Sequence, residues 1–136
     1  MDFILQNWML VSAIIFVIFL ILFEPLRRRM YGIESANVYD AVSLSNHQNA
    51  IFVDVRETKE MANGVINGAY RIPLSSFDKN IGQIEKYKDT PVIVYCRSGN
   101  RSLNAATRLK KKEFKQVYNL AGGILAWQKE SLPLEK

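Results

Sequence analysis

The stretch from Pro91 to Ser102 constrains the fold of this chain most strongly, because it joins a strand to a helix through one polar turn. Its first five residues, Pro-Val-Ile-Val-Tyr, are an apolar run typical of a strand that is buried on both faces. The turn then reads Cys-Arg-Ser-Gly-Asn-Arg-Ser, and residues 103–109 have the composition of a helix. This order is typical of an α/β fold, in which ligands bind at the carboxyl ends of the strands.

Cys96, the only cysteine of the chain, follows directly after this strand. The backbone N–H groups of the turn and the positive end of the following helix would surround its sulfur as an anion site, which favours the thiolate over the thiol. A cysteine buried only for packing does not need glycine, serine, asparagine and two arginines in the next five positions, since that composition is typical of an exposed turn. We therefore predict that Cys96 is a nucleophile for an anionic substrate. The predicted binding loop consists of Arg97, Ser98, Gly99, Asn100, Arg101 and Ser102.

The N-terminal segment is a second distinctive feature, because residues 3–23 contain no Asp, Glu, Lys, Arg or His. A helix of this length would be about 31 Å long, which matches the hydrocarbon core of a bilayer. The flanks lack the features of a cleaved signal peptide, since Asp2 precedes the run and three arginines, residues 27–29, follow it. We predict a single-pass, uncleaved transmembrane anchor over residues 1–30. The arginines predict that the N-terminus faces outward and that the following domain lies in the cytoplasm, and Trp8 and Tyr31 would lie at the two interfaces.

Residues 31–136 are predicted to form one α/β domain. Predicted strands cover residues 50–55, 69–72, 91–95 and 117–120, and predicted helices cover residues 35–44, 57–63, 75–87, the segment from the cysteine turn to about 113, and the segment after the glycine pair 122–123. Alternation of this kind predicts a mostly parallel sheet with helices on both faces, which makes three layers.

Composition excludes several functions. The net charge of +5 is too small and too scattered for a nucleic-acid face, and we assign the basic residues between Arg108 and Lys115 to a solvated helix end. One cysteine cannot form an intramolecular disulfide, which suits a reducing compartment. The only histidine, His47, lies in a polar loop, which argues against a Cys-His dyad and against a zinc site. We expect no metal and no organic cofactor.

Four segments of the sequence resemble those of the rhodanese family: residues 53–57 (Val-Asp-Val-Arg-Glu), residues 64–74 (Gly-Val-Ile-Asn-Gly-Ala, then Ile-Pro-Leu), the loop of residues 96–102, and residues 120–127 (Leu-Ala-Gly-Gly-Ile-Leu-Ala-Trp). The whole chain resembles a single-domain rhodanese with an N-terminal membrane anchor, a layout found among bacterial sulfurtransferases. It departs from the family at Val65, where histidine is usual, and at Asn67, where proline is common. Both positions are predicted to lie in a turn before a strand, away from the cysteine loop.

The resemblance implies a rhodanese-like fold and a two-step transfer of sulfur. Cys96 would take the outer sulfur of a donor such as thiosulfate and pass it from a persulfide to cyanide or a thiol. Arg97 would contact the donor anion, whereas Arg101 would either bind substrate or brace the loop. We hypothesise that Asp54 pairs with Arg101, and that Arg56 supports the pocket or forms a structural ion pair.

Two other functions stay open at this point. The first is a non-catalytic rhodanese-like module that tethers a partner at the membrane. The second is a phosphatase or arsenate reductase on the same fold, which the loop disfavours because the loops of such enzymes are one residue longer between cysteine and arginine. The expected partners are a small anionic sulfur donor, a thiol or cyanide acceptor, and membrane lipid around residues 3–23. The sequence does not identify a protein partner, the physiological donor and acceptor, or the oligomeric state.

Overall fold

The computed structural model describes residues 2–136, with the side chains of residues 24–31 excepted. The helices are α1 (Asp2–Gln6), α2 (Trp8–Tyr31), α3 (Val38–Gln48), α4 (Thr58–Met61), α5 (Phe77–Asn80), α6 (Asn100–Lys111) and α7 (Gly123–Lys129). The strands are β1 (Glu34–Ala36), β2 (Ile51–Asp54), β3 (Val65–Ile66), β4 (Tyr70–Arg71), β5 (Val92–Tyr95), β6 (Val117–Leu120) and β7 (Leu134–Glu135). Two 3₁₀ segments, Leu74–Ser76 and Ile81–Tyr87, flank α5.

Five of the strands form one parallel sheet in the order β1-β6-β5-β2-β4. The register places Val94 of β5 between Val53 of β2 and Asn119 of β6. Because β5 is the central strand, it is hydrogen-bonded on both sides and its carboxyl end is fixed. Cys96 follows this end directly, so the central strand of the sheet positions the predicted nucleophile.

Alternate residues of the central strands pack against different layers of helices, as a sheet covered on both faces requires. On one face, Val92 and Val94 share a core with α6 and with the helical turns around Phe77. On the other face, Ile93 and Tyr95 share a core with α3 and α7. The predicted three-layer α/β arrangement with a mostly parallel sheet is therefore confirmed.

The start of the domain differs from the prediction of a helix over residues 35–44. A short strand, β1, comes first and pairs with β6, and α3 begins only at Val38. The helix also continues to Gln48, so His47 lies in its last turn and the prediction of a polar loop there is wrong. Asn37 fixes the start of α3, because its side chain accepts a hydrogen bond from the backbone N–H of Asp40 at 2.8 Å while the Asp40 carboxylate accepts one from the Asn37 N–H at 3.4 Å. This reciprocal pair is a capping box, which satisfies N–H groups that the first helical turn leaves free.

The predicted transmembrane helix is not found. Within the part of the chain that the structure describes, no helix is long enough and apolar enough to cross a membrane. The uncharged run of residues 3–23 is divided at Asn7 between the five-residue helix α1 and the start of α2. Arginines 27–29 and Tyr31, which the sequence predicts to lie at the cytoplasmic interface, lie outside the described side chains.

Candidate active site

The loop after β5 wraps its backbone around the sulfur of Cys96, and the side chain of this residue is only 1 % exposed. The backbone N–H of Gly99 donates to Sγ at 3.1 Å, and the Ser102 hydroxyl oxygen lies 3.4 Å from Sγ. Gly99 has a φ of 117° and is the N-cap of α6. This conformation favours glycine, and it lets the chain turn sharply enough to direct its N–H at the sulfur.

The environment of Cys96 lowers the pKa of its thiol. Burial raises the pKa of this thiol, but hydrogen bonds from the Ser102 hydroxyl and from the backbone N–H groups of Ser102, Gly99 and Ser98 together outweigh it. The pKa therefore lies below the ordinary value for cysteine, and the thiolate is more populated at neutral pH than in a free cysteine.

Helix α7 holds the loop from its other side. The N–H of Ile124 donates to the carbonyl oxygen of Cys96 at 2.9 Å, and the N–H of Leu125 donates to that of Arg97 at 3.3 Å. In a trans peptide the C=O and the next N–H point in opposite directions, so these bonds turn the N–H groups of Arg97 and Ser98 away from α7. The start of α7 thereby fixes the direction of the donors that surround the anion site.

Asp54 and Arg56 form a buried ion pair beside the loop, with exposed fractions of 0 % and 5 %. The Arg56 Nη2 lies 2.6 Å from the Asp54 Oδ2 and also donates to the carbonyl oxygen of Gly64 at 2.7 Å. Arg56 thus ties the end of β2 to the segment that carries α4. The structure therefore uses most of the donors of this side chain in a structural ion pair, the second of the two roles that the sequence left open.

Arg101 does not pair with Asp54, so this hypothesis is wrong. Its guanidinium makes a two-point contact with the Glu60 carboxylate, with Nη1 at 2.7 Å from Oε2 and Nη2 at 2.8 Å from Oε1. Asp54 is occupied by Arg56, and α4 brings Glu60 to the start of α6. The geometry gives Arg101 a bracing contact between two elements that flank the cysteine loop.

The Glu60–Arg101 pair provides a pH-dependent test of this bracing. Hydrogen bonding to Arg101 lowers the pKa of Glu60 to about 2. Because the folded-state pKa lies below the unfolded value, the pair stabilises the fold above pH ~4.5, and this contribution is lost as the pH falls towards 2. The side chains are 35 % and 28 % exposed, so solvent screening limits the effect to about 1 kcal/mol.

We expect Glu60→Gln to unfold at a lower denaturant concentration at pH 7. Its free energy of unfolding should also fall less than that of the parent when the pH is lowered, because the ion pair is already absent. Urea titrations between pH 7 and pH 3 measure both effects. Asp78→Asn is the matched control, because its contact with Arg108 is longer, at 3.6 Å, and the carboxylate is 69 % exposed. Equal pH dependence in Glu60→Gln and in the parent would contradict the bracing role.

A cleft of about 310 Å³ opens beside the cysteine loop. It is lined by Arg56, Glu60, Asn63, Arg97, Ile124, Leu125 and Gln128. Arg97 is exposed, as are Ser98 and Asn100, whereas Ser102 is buried. The structure therefore brings the predicted loop residues together around Cys96 and places the side chain of Arg97 where an anion would approach.

The sequence analysis missed the roles of three residues at the site. Glu60 holds Arg101, Asn119 contacts Ser102 from β6, and Gly123 packs against the backbone of the cysteine loop. Asn119 could have been suspected, because it is the one strongly polar residue in the otherwise apolar strand Val-Tyr-Asn-Leu. The partner of Arg101 lies 41 positions away, and no local pattern indicates such a contact.

A parallel α/β sheet with a buried cysteine of lowered pKa at the end of its central strand, among backbone N–H groups of the following loop, defines the class of domain. A model of the rhodanese-like domain family matches residues 37–130, which is more than half of the chain, and the chain belongs to this family.

Known proteins of the family agree with this assignment. The chain is 36 % identical over 102 residues to a sulfurtransferase of Allochromatium vinosum, covering 72 % of this chain and 94 % of that protein. It is 30 % identical over 95 residues to the thiosulfate sulfurtransferase GlpE of Glaesserella parasuis, covering 70 % of this chain and 86 % of the relative. A crystal structure of a rhodanese-related protein from Thermoplasma volcanium superposes with a TM-score of 0.66 at 29 % identity, covering 75 % of this chain and 97 % of the other. These relatives support sulfur transfer as the general activity.

Proposed function

We propose that this protein transfers a sulfane sulfur from a small anionic donor such as thiosulfate to cyanide or a thiol, through a persulfide on Cys96. The observation that carries the proposal is the backbone cradle of Cys96, in which the Gly99 N–H lies 3.1 Å from Sγ and the pKa of the thiol is lowered. A thiolate at neutral pH and a site for a negatively charged group are the two requirements of this chemistry.

In the first step the Cys96 thiolate attacks the outer sulfur of thiosulfate. A bond forms between Sγ and this sulfur, the sulfur–sulfur bond of the donor breaks, and sulfite leaves with the electron pair. No external oxidant or reductant is needed. Arg97, exposed at the cleft, supplies the positive charge that attracts the donor, and the loop N–H groups stabilise the negative charge that moves onto the transferred sulfur.

In the second step an acceptor thiolate or cyanide attacks the outer sulfur of the persulfide. The bond between this sulfur and Sγ breaks, and the electron pair returns to Sγ as a thiolate. The same N–H groups that favour ionisation of Cys96 therefore also make it a good leaving group.

The geometry disfavours a phosphatase or an arsenate reductase. Four residues separate Cys96 from Arg101, and the Arg101 guanidinium is held by the Glu60 carboxylate at 2.7 and 2.8 Å. A tetrahedral oxyanion would need a larger loop and an arginine directed at its oxygens. A non-catalytic tether does not need a cysteine in this environment, since binding a partner does not require a thiol with a lowered pKa.

Intact-mass measurement of the full chain in detergent tests the proposal. We expect incubation with thiosulfate to add the mass of one sulfur atom, and subsequent cyanide to remove it with formation of thiocyanate. Protein whose single thiol has been blocked with iodoacetamide is the control and should gain nothing. No added sulfur on a free thiol in folded protein would contradict thiosulfate as the donor and would favour another sulfane donor or a tethering role.

We further propose that residues 3–23 attach the chain to the inner membrane, with residues 31–136 in the cytoplasm. The apolar side chains of this segment are largely exposed, for example Leu5 at 73 % and Met9 at 70 %. Exposed apolar surface on this scale is costly in water and favourable against lipid. Three arginines follow the segment in the sequence, where they suit anionic headgroups on the cytoplasmic side.

Fractionation of cells tests the attachment, and protease protection tests the orientation. We expect the full chain to stay in the membrane pellet after a carbonate wash, whereas a variant lacking residues 3–23 is released. An N-terminal tag should be cleaved by protease added to intact spheroplasts if the segment spans with the N-terminus outside. A tag that is protected on a carbonate-resistant chain would contradict the spanning orientation, and release of the full chain would contradict attachment.

A further inference from the structure

Behind the cysteine loop lies a buried pair of polar side chains that the sulfur-transfer steps above do not use. Ser102, in the first turn of α6, is 0 % exposed, and Asn119, in β6, is 8 % exposed. Their side chains meet with the Ser102 Oγ 2.5 Å from the Asn119 Oδ1. On its other side the same hydroxyl lies 3.4 Å from the Cys96 Sγ.

The orientation of the Asn119 amide is fixed by a second contact. Its Nδ2 donates to the carbonyl oxygen of Gly99 at 3.0 Å. The reversed amide would place two carbonyl-type oxygens against each other at that distance, which is unfavourable. Oδ1 therefore faces Ser102, and because Oδ1 can only accept, the hydrogen in this short contact must come from the Ser102 hydroxyl.

A serine hydroxyl has only one hydrogen to donate, but three possible acceptors surround the Ser102 hydroxyl. The Asn119 Oδ1 is at 2.5 Å, the Gly99 carbonyl oxygen at 3.1 Å and the Cys96 Sγ at 3.4 Å. While the hydrogen points at Asn119, a lone pair of Oγ faces the sulfur. This arrangement suits a protonated Cys96, whose S–H can donate to Oγ, and it does not suit a thiolate.

We propose that Asn119 is a positioning residue that competes with Cys96 for the single hydroxyl hydrogen of Ser102. With the hydrogen on the Asn119 side, the hydroxyl donates no hydrogen bond to the sulfur, and the pKa of Cys96 is lowered less than it would be without Asn119. When Cys96 becomes negatively charged, the hydroxyl rotates towards Sγ and leaves the Asn119 oxygen without a hydrogen in a buried site. That loss is a cost of ionisation, so Asn119 moderates the anion site that the backbone N–H groups form.

The competition also bears on the second step of sulfur transfer, and this part rests on the proposed function. In the persulfide the negative charge lies on the outer sulfur, so Sγ needs no hydrogen bond and the Ser102 hydrogen stays on Asn119. As the acceptor removes the outer sulfur, the electron pair arrives on Sγ and the hydroxyl rotates to it. Asn119 thereby stabilises the loaded enzyme relative to the free thiolate.

The charged groups around Cys96 stay constant in the test. Arg101 on α6 interacts electrostatically with Cys96 and is paired with Glu60 on α4, and Arg97 belongs to the loop itself. From α7 the contact is a backbone N–H, that of Ile124. Changes at Asn119 and Ser102 leave these charges in place. Asn119→Leu also removes the hydrogen bond to the Gly99 carbonyl oxygen, so the effect of the hydroxyl hydrogen is the difference between the two Ser102 backgrounds.

The experiment is a double-mutant cycle on the pH dependence of Cys96 alkylation by iodoacetamide, using the full chain in detergent. We expect Ser102→Ala to raise the alkylation pKa and Asn119→Leu to lower it, with about three- to tenfold faster alkylation below the pKa in the latter. In the Ser102→Ala background, Asn119→Leu should no longer lower the alkylation pKa, because the hydroxyl hydrogen is gone and only the bond to the Gly99 carbonyl oxygen is lost. A shift of equal size in both backgrounds, or a raised pKa in Asn119→Leu, would overturn the proposal.

A measurement on the unmodified protein keeps the proposal testable if Asn119→Leu does not fold. The chain has one cysteine, so the infrared S–H stretching band reports on Cys96 alone. We expect the band of a hydrogen-bonded thiol at low pH and its shift to that of a free thiol in Ser102→Ala. A free-thiol band in the parent would overturn the proposal. Neither measurement involves thiosulfate, so failure here is distinct from failure of the proposed activity.

Discussion

Replacement of Cys96 by serine is expected to reduce sulfur transfer from thiosulfate to cyanide by roughly 10³-fold or more, as removal of a covalent nucleophile does in other enzymes. Serine has nearly the same shape and can accept the same hydrogen bond from the Gly99 N–H, which is 3.1 Å from Sγ in the parent. Its hydroxyl is not ionised at neutral pH, and oxygen cannot hold the transferred sulfur as a persulfide. The assay is the rate of thiocyanate formation.

The chain offers an internal control for this loss, because Cys96 is its only thiol. Alkylation of the parent should remove the activity to the same extent as the substitution. Circular dichroism and the thermal midpoint should be close to the parent values, which shows that the fold is intact. Retention of more than about a tenth of the parent rate by folded Cys96→Ser would exclude a persulfide on this residue.

Gly123→Ala is expected to have the second-largest effect, because the backbone of the cysteine loop occupies the space that a methyl group would need. A Cβ built at Gly123 would lie 2.5 Å from the carbonyl oxygens of both Cys96 and Arg97. These atoms are backbone and cannot move aside without breaking the hydrogen bonds from α7. The residue also has a φ of +58°, which adds strain for any residue with a Cβ. We expect a loss of about 2–5 kcal/mol in the free energy of unfolding and a raised pKa of Cys96.

Substitutions at two other glycines separate the two causes of the stability loss, steric overlap and backbone strain. Gly68 has a φ of +77° and no atom within 4 Å of a built Cβ, so Gly68→Ala measures backbone strain alone, about 1 kcal/mol. Gly82 also has no atom within 4 Å of a built Cβ, and its φ is not positive. Gly82→Ala should therefore leave the free energy of unfolding almost unchanged. Urea unfolding of the three variants gives the comparison. A cost for Gly123→Ala no larger than that for Gly68→Ala would mean that α7 does not hold the loop as described.

The centre of the fold could be predicted from the sequence because its signals are local. The apolar run of β5, the polar cysteine turn and the helix that follows are adjacent in the chain, and each has a composition that only one structure suits. Strand β1 gives no such signal, since its residues Glu-Ser-Ala have no apolar pattern and only Ala36 is buried. Its place in the sheet depends on backbone pairing with β6, more than 80 positions away in the chain.

At the candidate site, too, local contacts could be predicted from the sequence and long-range contacts could not. The donors to Cys96 come from the six residues that follow it, so the loop sequence predicts them. The partner of Arg101 does not follow from local sequence, because Asp54 and Glu60 are both acidic residues near the carboxyl end of β2. The fold decides between them, since Arg56 occupies Asp54 with a contact of 2.6 Å and leaves Glu60 for Arg101.

The contact between α7 and the cysteine loop has a consequence for the order of events during synthesis. Cys96 leaves the ribosome well before the N–H groups of Ile124 and Leu125, which bind the carbonyl oxygens of Cys96 and Arg97. Strand β6, which flanks β5, also emerges later than the cysteine. Until these elements arrive the nascent chain has an ordinary, mostly protonated cysteine. The lowered thiol pKa is therefore a property of the finished domain, and the cysteine of the nascent chain stays mostly in its less reactive, protonated form until α7 holds the loop.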